Sequence, residues 1–198
     1  MDDLLSFYKE IPPFTRYFMT TVFIASFGMT YSILSPYHLI LDFSKVFSKF
    51  QLWRILTTFI FAGKFSQSFL FSMLTMYFTM RKCEDYFKTK KADFMVLILF
   101  SMFAVCFYAY IYGDYMILHQ PFVFSLMYIW CKLEPDQQIS LWGFPVKSAN
   151  LPWVLVLLSI LTGGDPFKDL IGIAAGHTYI FLKMVLPNSH GYNLLKTP

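Results

Sequence analysis

Apolar residues run in long blocks separated by short polar clusters, and six of the blocks predict transmembrane helices. The first block covers about 17–34 and stops at Ser35-Pro36. The second covers about 65–82 after the polar break Gly63-Lys64, and the third about 93–112. The last three are shorter. Asp114 and Lys132 bracket 17 residues interrupted by His119-Gln120-Pro121, and Lys147 and Asp165 bracket another 17, with Pro152 placed for a helix start. From Lys168/Asp169 to Lys183 there are 13, or 17 if Lys183 snorkels and the helix runs to Leu186. At ~1.5 Å per residue the short blocks reach roughly 20–26 Å, less than a hydrocarbon core of about 30 Å. Such a cluster is expected to thin the surrounding bilayer or to sit against partner proteins.

Two further segments read as helices lying in the membrane interface rather than crossing it. Residues 1–13 place Leu4, Phe7, Tyr8 and Ile11 on one face, with Asp2 or Asp3 as cap and Pro12-Pro13 as stop. Residues 39–53 carry Leu39, Phe43, Val46, Phe50 and Trp53 at helical spacing, with Asp42, Lys45 and Lys49 off that stripe. The expected architecture is an all-α membrane protein of six transmembrane helices. It divides into an N-terminal interfacial helix (1–16), the membrane domain with an amphipathic first loop (17–186), and a short tail (187–198).

Lysine and arginine set the orientation. With six spans, one side holds Lys9, Arg16, Arg81, Lys82, Lys88, Lys90, Lys91, Lys132, Lys147, Lys183 and Lys196; the other holds Lys45, Lys49, Arg54 and Lys168. Eleven against four puts both termini in the cytosol, or on the matrix or stromal side of an organelle membrane.

Composition agrees with a membrane protein. Of 198 residues 57% are hydrophobic and 14% charged, whereas soluble domains carry about 25% charge; the mean hydropathy is +0.52. The net charge of +4 forms no basic patch interleaved with aromatics, so nucleic acid is not an expected partner. Cys83, Cys106 and Cys131 have no metal or redox spacing, and neither a metal nor a cofactor is expected. Asp2, Asp3 and Glu10 before the first block are wrong for a cleaved signal, so the amino terminus is expected to be mature.

Four places carry candidate chemistry. Gly172 and Gly176 lie four apart on one face of the last block, beside His177. The glycines suit close packing of a neighbouring helix. The histidine serves either as a hydrogen bond to that helix or, given a nucleophile, as a general base. Trp53-Arg54 is either an aromatic-belt anchor with an arginine on phosphates, or an arginine whose planar fork holds the loop to the bundle through carbonyls or a carboxylate. Gly63-Lys64-Phe65-Ser66-Gln67-Ser68 is either a loop dipping into headgroups or a wall of a hydrated lateral opening, with Lys64, Ser66 and Gln67 lining it. His119-Gln120-Pro121 marks a kinked or late-starting helix, and His119 and Gln120 are candidate linings for the same cavity.

Together these residues resemble the Derlin family. The resemblance is carried by Ile11-Pro12-Pro13-x-Thr15-Arg16, Gln51-x-Trp53-Arg54, Tyr128-Ile129-Trp130, Leu151-Pro152-Trp153 and Gly172-x-x-x-Gly176-His177, in register from about residue 8 to Thr197-Pro198. It implies a rhomboid-like fold without protease activity, and a role in retrotranslocating misfolded proteins from the endoplasmic reticulum membrane through a thinned bilayer and a lateral gate. The partners it implies are a ubiquitin ligase complex, misfolded clients and membrane lipids. An active rhomboid needs a serine in a Gly-x-Ser-Gly turn heading the fourth span. Here that stretch reads Ile117-Leu118-His119-Gln120-Pro121, and Ser125 lies deeper without flanking glycines. An intramembrane serine protease is therefore the remote alternative. Several Derlins recruit a AAA ATPase through a long tail; this chain ends about a dozen residues after Leu186, so that recruitment is not expected. The nearer alternative is a structural subunit of a larger assembly in a mitochondrial inner or plastid membrane.

Overall fold

Helices apolar on most faces bury themselves against one another or against lipid, and this chain does both. The computed structural model describes residues 6, 8–112, 116–141, 144–161, 163–190 and 195. In chain order the helices are α1 (Pro13–Thr30), α2 (Phe43–Lys49), α3 (Trp53–Ile60), α4 (Gln67–Tyr86), α5 (Lys91–Tyr112), α6 (His119–Leu133), α7 (Leu151–Leu161), α8 (Pro166–Ile180) and α9 (Leu186–His190). A π-helical turn, Phe181–Val185, joins α8 to α9 without a break. Residues 6 and 8–10 are also helical, but residues 1–5 and 7 of the expected interfacial helix at 1–13, including its Asp2 or Asp3 cap, lie outside the described residues.

Local chemistry sets the helix starts. Proline occupies the first turn of α1 and α8, where its missing N–H costs nothing. Ser66 Oγ accepts from Phe69 N at 3.1 Å to cap α4, and Asp165 accepts from Phe167 N at 3.1 Å to cap α8. Asp42 caps α2 through Lys45 N at 3.2 Å and pairs with the Lys45 ammonium at 2.8 Å. Those two bonds hold its carboxyl below the usual aspartate range.

The core centres on α6. His119 and every residue from Pro121 to Cys131 are buried, with α8, α4, α5 and α7 packed around it. Helix α7 is the opposite case: only Leu151, Pro152 and Val156 are buried, while Trp153, Leu157, Ile160 and Leu161 are exposed. Exposed apolar side chains also cover α1, α4 and α5, as expected of surfaces facing lipid.

Among the described residues two helices qualify by length and apolarity to cross a membrane, Lys91–Tyr112 (22 residues) and Pro166–Ser189 (24 residues). Helix α1 has the length but carries Thr15, Arg16, Thr20, Thr21 and Ser26, and α4 ends in Arg81, Lys82, Glu84 and Asp85. Helices α6 and α7 have 15 and 11 residues. The segment 39–53 is not one amphipathic helix. Helix α2 stops where Phe50 turns left-handed at φ +52°, and α3 begins afresh at Trp53, so Phe50 and Trp53 leave the expected stripe and are exposed. Nor is the chain wholly helical: β1 (Gln138–Leu141) and β2 (Phe144–Lys147) pair antiparallel, with Gln138 opposite Lys147. That hairpin ends at Lys147, before the fifth block, and a 3-10 turn, Ser148–Asn150, takes the first three residues of the block, so α7 is shorter than the spacing of charges suggested.

Candidate functional site

The face of α8 that carries Gly172 and Gly176 lies directly on α6. A Cβ at Gly172 would collide with the Pro121 carbonyl oxygen and come within 2.7 Å of Phe124 Cβ; one at Gly176 would lie 2.7 Å from Ser125 O and 3.1 Å from the Tyr128 ring. The two backbones are therefore in van der Waals contact, a separation only glycine permits.

His177 lies beside this seam, exposed, with its Nδ1 2.9 Å from Tyr128 Oη and its ring edge-on to the tyrosine. Its partner on α6 is a phenol rather than an aliphatic hydroxyl. Ser125 is fully buried and its Oγ has no hydrogen-bond partner in the protein.

Arg54 takes the carbonyl alternative. It is 4% exposed, donates from Nη1 to Tyr37 O at 2.6 Å and Ile40 O at 2.8 Å, and donates from Nε to Gln51 Oε1 at 2.6 Å. One guanidinium thus closes the loop between α1 and α3, using the several donors its planar fork provides. Trp53 beside it is exposed. Helix α3 in turn anchors the start of α6: Thr58 Oγ1 donates to Met116 O at 2.9 Å and accepts from Leu118 N at 3.1 Å.

The polar residues expected to share a cavity lie in different surroundings. Lys64, Ser66 and Gln67 are exposed around the start of α4, where Phe65 N donates to Thr30 Oγ1 at 3.0 Å. His119 is buried, its Nδ1 2.7 Å from Phe59 O. Gln120 points the other way and donates from Nε2 to Asp169 Oδ1 at 2.7 Å. The stretch His119-Gln120-Pro121 is a late helix start rather than a kink.

Three polar ties across the bundle carried no sequence signal. Glu84 receives Phe14 N at 2.9 Å, Thr15 N at 2.8 Å and Thr15 Oγ1 at 2.8 Å, so a carboxylate from α4 caps the first turn of α1. Lys183 pairs with Asp93 Oδ1 at 2.6 Å and donates to Leu195 O at 2.7 Å. Asp169 is fully buried in the first turn of α8, a position read from sequence only as a boundary. Among the described residues no cluster of three or more His, Cys, Asp or Glu could hold a metal ion.

Comparison with known proteins places this geometry in a family. A model of the Der1-like family matches residues 11–198. The chain is 34% identical over 206 residues to Derlin-2.2 of Zea mays, covering 96% of this chain and 82% of that protein. It is 34% identical over 201 residues to Derlin-1 of Oryza sativa subsp. japonica, covering 100% of this chain and 83% of the relative. Derlin-2.1 of Arabidopsis thaliana is 33% identical over 206 residues, with 96% and 83% covered. Matched from end to end by Derlins and over residues 11–198 by their family model, this membrane protein belongs to the Der1-like family.

Proposed function

We propose that this protein is a six-span, rhomboid-like pseudoprotease that helps carry misfolded proteins out of the endoplasmic reticulum for degradation. The observation that carries this reading is membership of the Derlins along nearly the whole chain. In this reading α1, α4, α5, α6, α7 and α8 are the six spans, and the bias of Lys and Arg puts both termini in the cytosol. A general base needs a nucleophile within hydrogen-bond reach. His177 has Tyr128 there instead, and Ser125 sits buried beneath the seam, which supports a non-catalytic role. The short, outward-facing α7, about 16 Å at ~1.5 Å per residue, supports local thinning of the bilayer. Lys64, Ser66, Gln67 and Gln120 then supply polar surface for a passing chain, and a ubiquitin ligase complex is the partner.

Deleting the protein and following a misfolded luminal client by pulse-chase tests the reading: the client's half-life should lengthen, and unchanged turnover would refute it. Purification in mild detergent should bring down a ubiquitin ligase. Recovery of respiratory or photosynthetic subunits instead would replace the reading with that of a structural subunit. A fluorophosphonate probe should leave the chain unlabelled; labelling at Ser125 would overturn the non-catalytic assignment.

A further inference from the structure

Arg54 spends its donors on backbone carbonyls and a glutamine, but a second arginine, Arg16 near the start of α1, has no such partners. It is half-buried. Among the described residues it forms no ion pair, and its guanidinium donates no hydrogen bond. Arg81 on α4 is the contrast: its Nη1 donates to Tyr77 Oη at 2.6 Å and its Nε lies 3.7 Å from the Asp85 carboxylate.

What Arg16 has instead is two aromatic rings. Its guanidinium carbon lies 5.5 Å from the centre of the Tyr8 ring and 5.4 Å from that of Tyr17. Attraction to ring faces positions a guanidinium without using the N–H donors at its edge. Hydrogen bonds hold the arrangement in place. Thr20 Oγ1 donates to Arg16 O at 2.8 Å, so Tyr8 Oη is the donor in its 2.7 Å bond to Thr20 Oγ1, and that bond fastens Tyr8 to α1. The amides of the helix start take no part, because Phe14 N and Thr15 N already face Glu84.

Depth decides what the open donors meet. Positions 16, 23 and 27 share one face of α1 by helical geometry, and Phe23 and Phe27 on that face are exposed, as a surface facing lipid tails requires. At ~1.5 Å per residue Arg16 lies about 10 Å beyond Phe23 toward the helix start. That step carries it out of the hydrocarbon and into the headgroup layer, where the exposed Tyr17 beside it is also at home. The anion of that layer is the lipid phosphate, and its oxygens match the fork of a guanidinium.

We propose that Arg16, framed by Tyr8 and Tyr17, binds the phosphate of a membrane phospholipid at the start of α1. The arginine makes the contact and the two tyrosines position it. This site stands whether or not the protein carries clients.

Native mass spectrometry of the full chain in a non-ionic sugar detergent tests it. Phosphatidylglycerol is titrated in parallel with a diacylglycerol of the same tails, which lacks the phosphate. In Arg16→Gln the affinity for the tightest-bound phosphatidylglycerol should fall about tenfold or more, as expected for the loss of one charge-assisted contact, while diacylglycerol binding stays the same. Tyr17→Leu should weaken phosphatidylglycerol binding by less, and Arg81→Gln, whose arginine already has partners, should not weaken it. If Arg16→Gln does not fold, Arg16→Lys, which keeps the charge and loses the fork, must still bind phosphatidylglycerol more weakly. Wild-type affinity in the Arg16 or Tyr17 variants, an equal loss in Arg81→Gln, or an equal loss for diacylglycerol would each overturn the proposal. Displacement of the lipid by millimolar inorganic phosphate would overturn it too, by making this a site for a free anion.

Discussion

Replacing Gly172 with alanine tests the packing at the centre of the bundle most directly. The new methyl group would meet the Pro121 carbonyl oxygen and, at 2.7 Å, Phe124 Cβ. Nonbonded carbons settle at ~3.5–4.0 Å, so α6 and α8 must part by roughly 1 Å. Both obstacles are held by α6 itself, which is enclosed on all sides and cannot yield locally. Overpacking of this kind costs ~1–3 kcal/mol, offset in part by the ~0.8–1 kcal/mol by which alanine favours a helix over glycine. The difference spans ~0–2 kcal/mol, and because the obstacle includes backbone that cannot swing aside, the upper half of that range applies: a loss of about 1–2 kcal/mol, or roughly 2–8 °C in melting temperature for a chain of this size. Thermal unfolding in mild detergent measures it. Gly176→Ala should lose less, because part of its clash is with the Tyr128 side chain at 3.1 and 3.2 Å. Gly28→Ala is the internal control: its methyl group meets only the Leu34 side chain, whose nearest atom lies 2.8 Å away and can swing aside. A Gly172→Ala protein as stable as wild type, or no less stable than Gly28→Ala, would refute the backbone-contact argument.

Arg54→Lys keeps the charge but loses the fork, and hydrogen bonds to charged groups are worth about 1.5–3 kcal/mol each. Limited proteolysis should then cut within 36–52 well before the rest of the chain. Glu84→Gln removes the charge from the cap of α1 and should lower the melting temperature by a few degrees, the helix-terminus charge being worth ~0.3–1 kcal/mol. Thr15→Val should act through the same contact, so the double variant should lose less than the sum of the singles. Exchanging Asp93 and Lys183 should destabilise as single changes, by ~1 kcal/mol for a pair still partly exposed, and recover in the double variant; no recovery would mean that the Leu195 carbonyl, not the ion pair, holds Lys183.

What could be read from the sequence followed spacing along one helix. Residues 172 and 176 share a face by helical geometry alone, and that face meets α6. Long apolar runs located α5 and α8 closely, because length and hydropathy are local properties. Contacts made by tertiary folding were not readable. Glu84 caps a helix that starts 71 positions earlier, and Asp169 meets a glutamine 49 positions away. The break at Phe50 gave no warning, since a left-handed phenylalanine has no signature like that of glycine. The hairpin did leave one: Ile139 and Leu141, then Phe144 and Val146, alternate with Ser140 and Pro145 around a two-residue connection. These residues fell between the fourth and fifth apolar blocks, where no element was assigned.

The enclosure of α6 changes where the shortness of this bundle is felt. A helix wrapped by its neighbours has protein as its solvent, so its 15 residues need not match the thickness of any lipid leaflet. Only the outer ring of helices negotiates with the lipid annulus, and its weakest member there is α7, 11 residues long with its second half turned outward. Deformation of the bilayer should therefore be lopsided, deepest on one flank of the molecule and slight on the flank of the 22-residue α5. A protein built this way gives the membrane a direction, and neighbouring proteins would find one side of it easier to approach than the other.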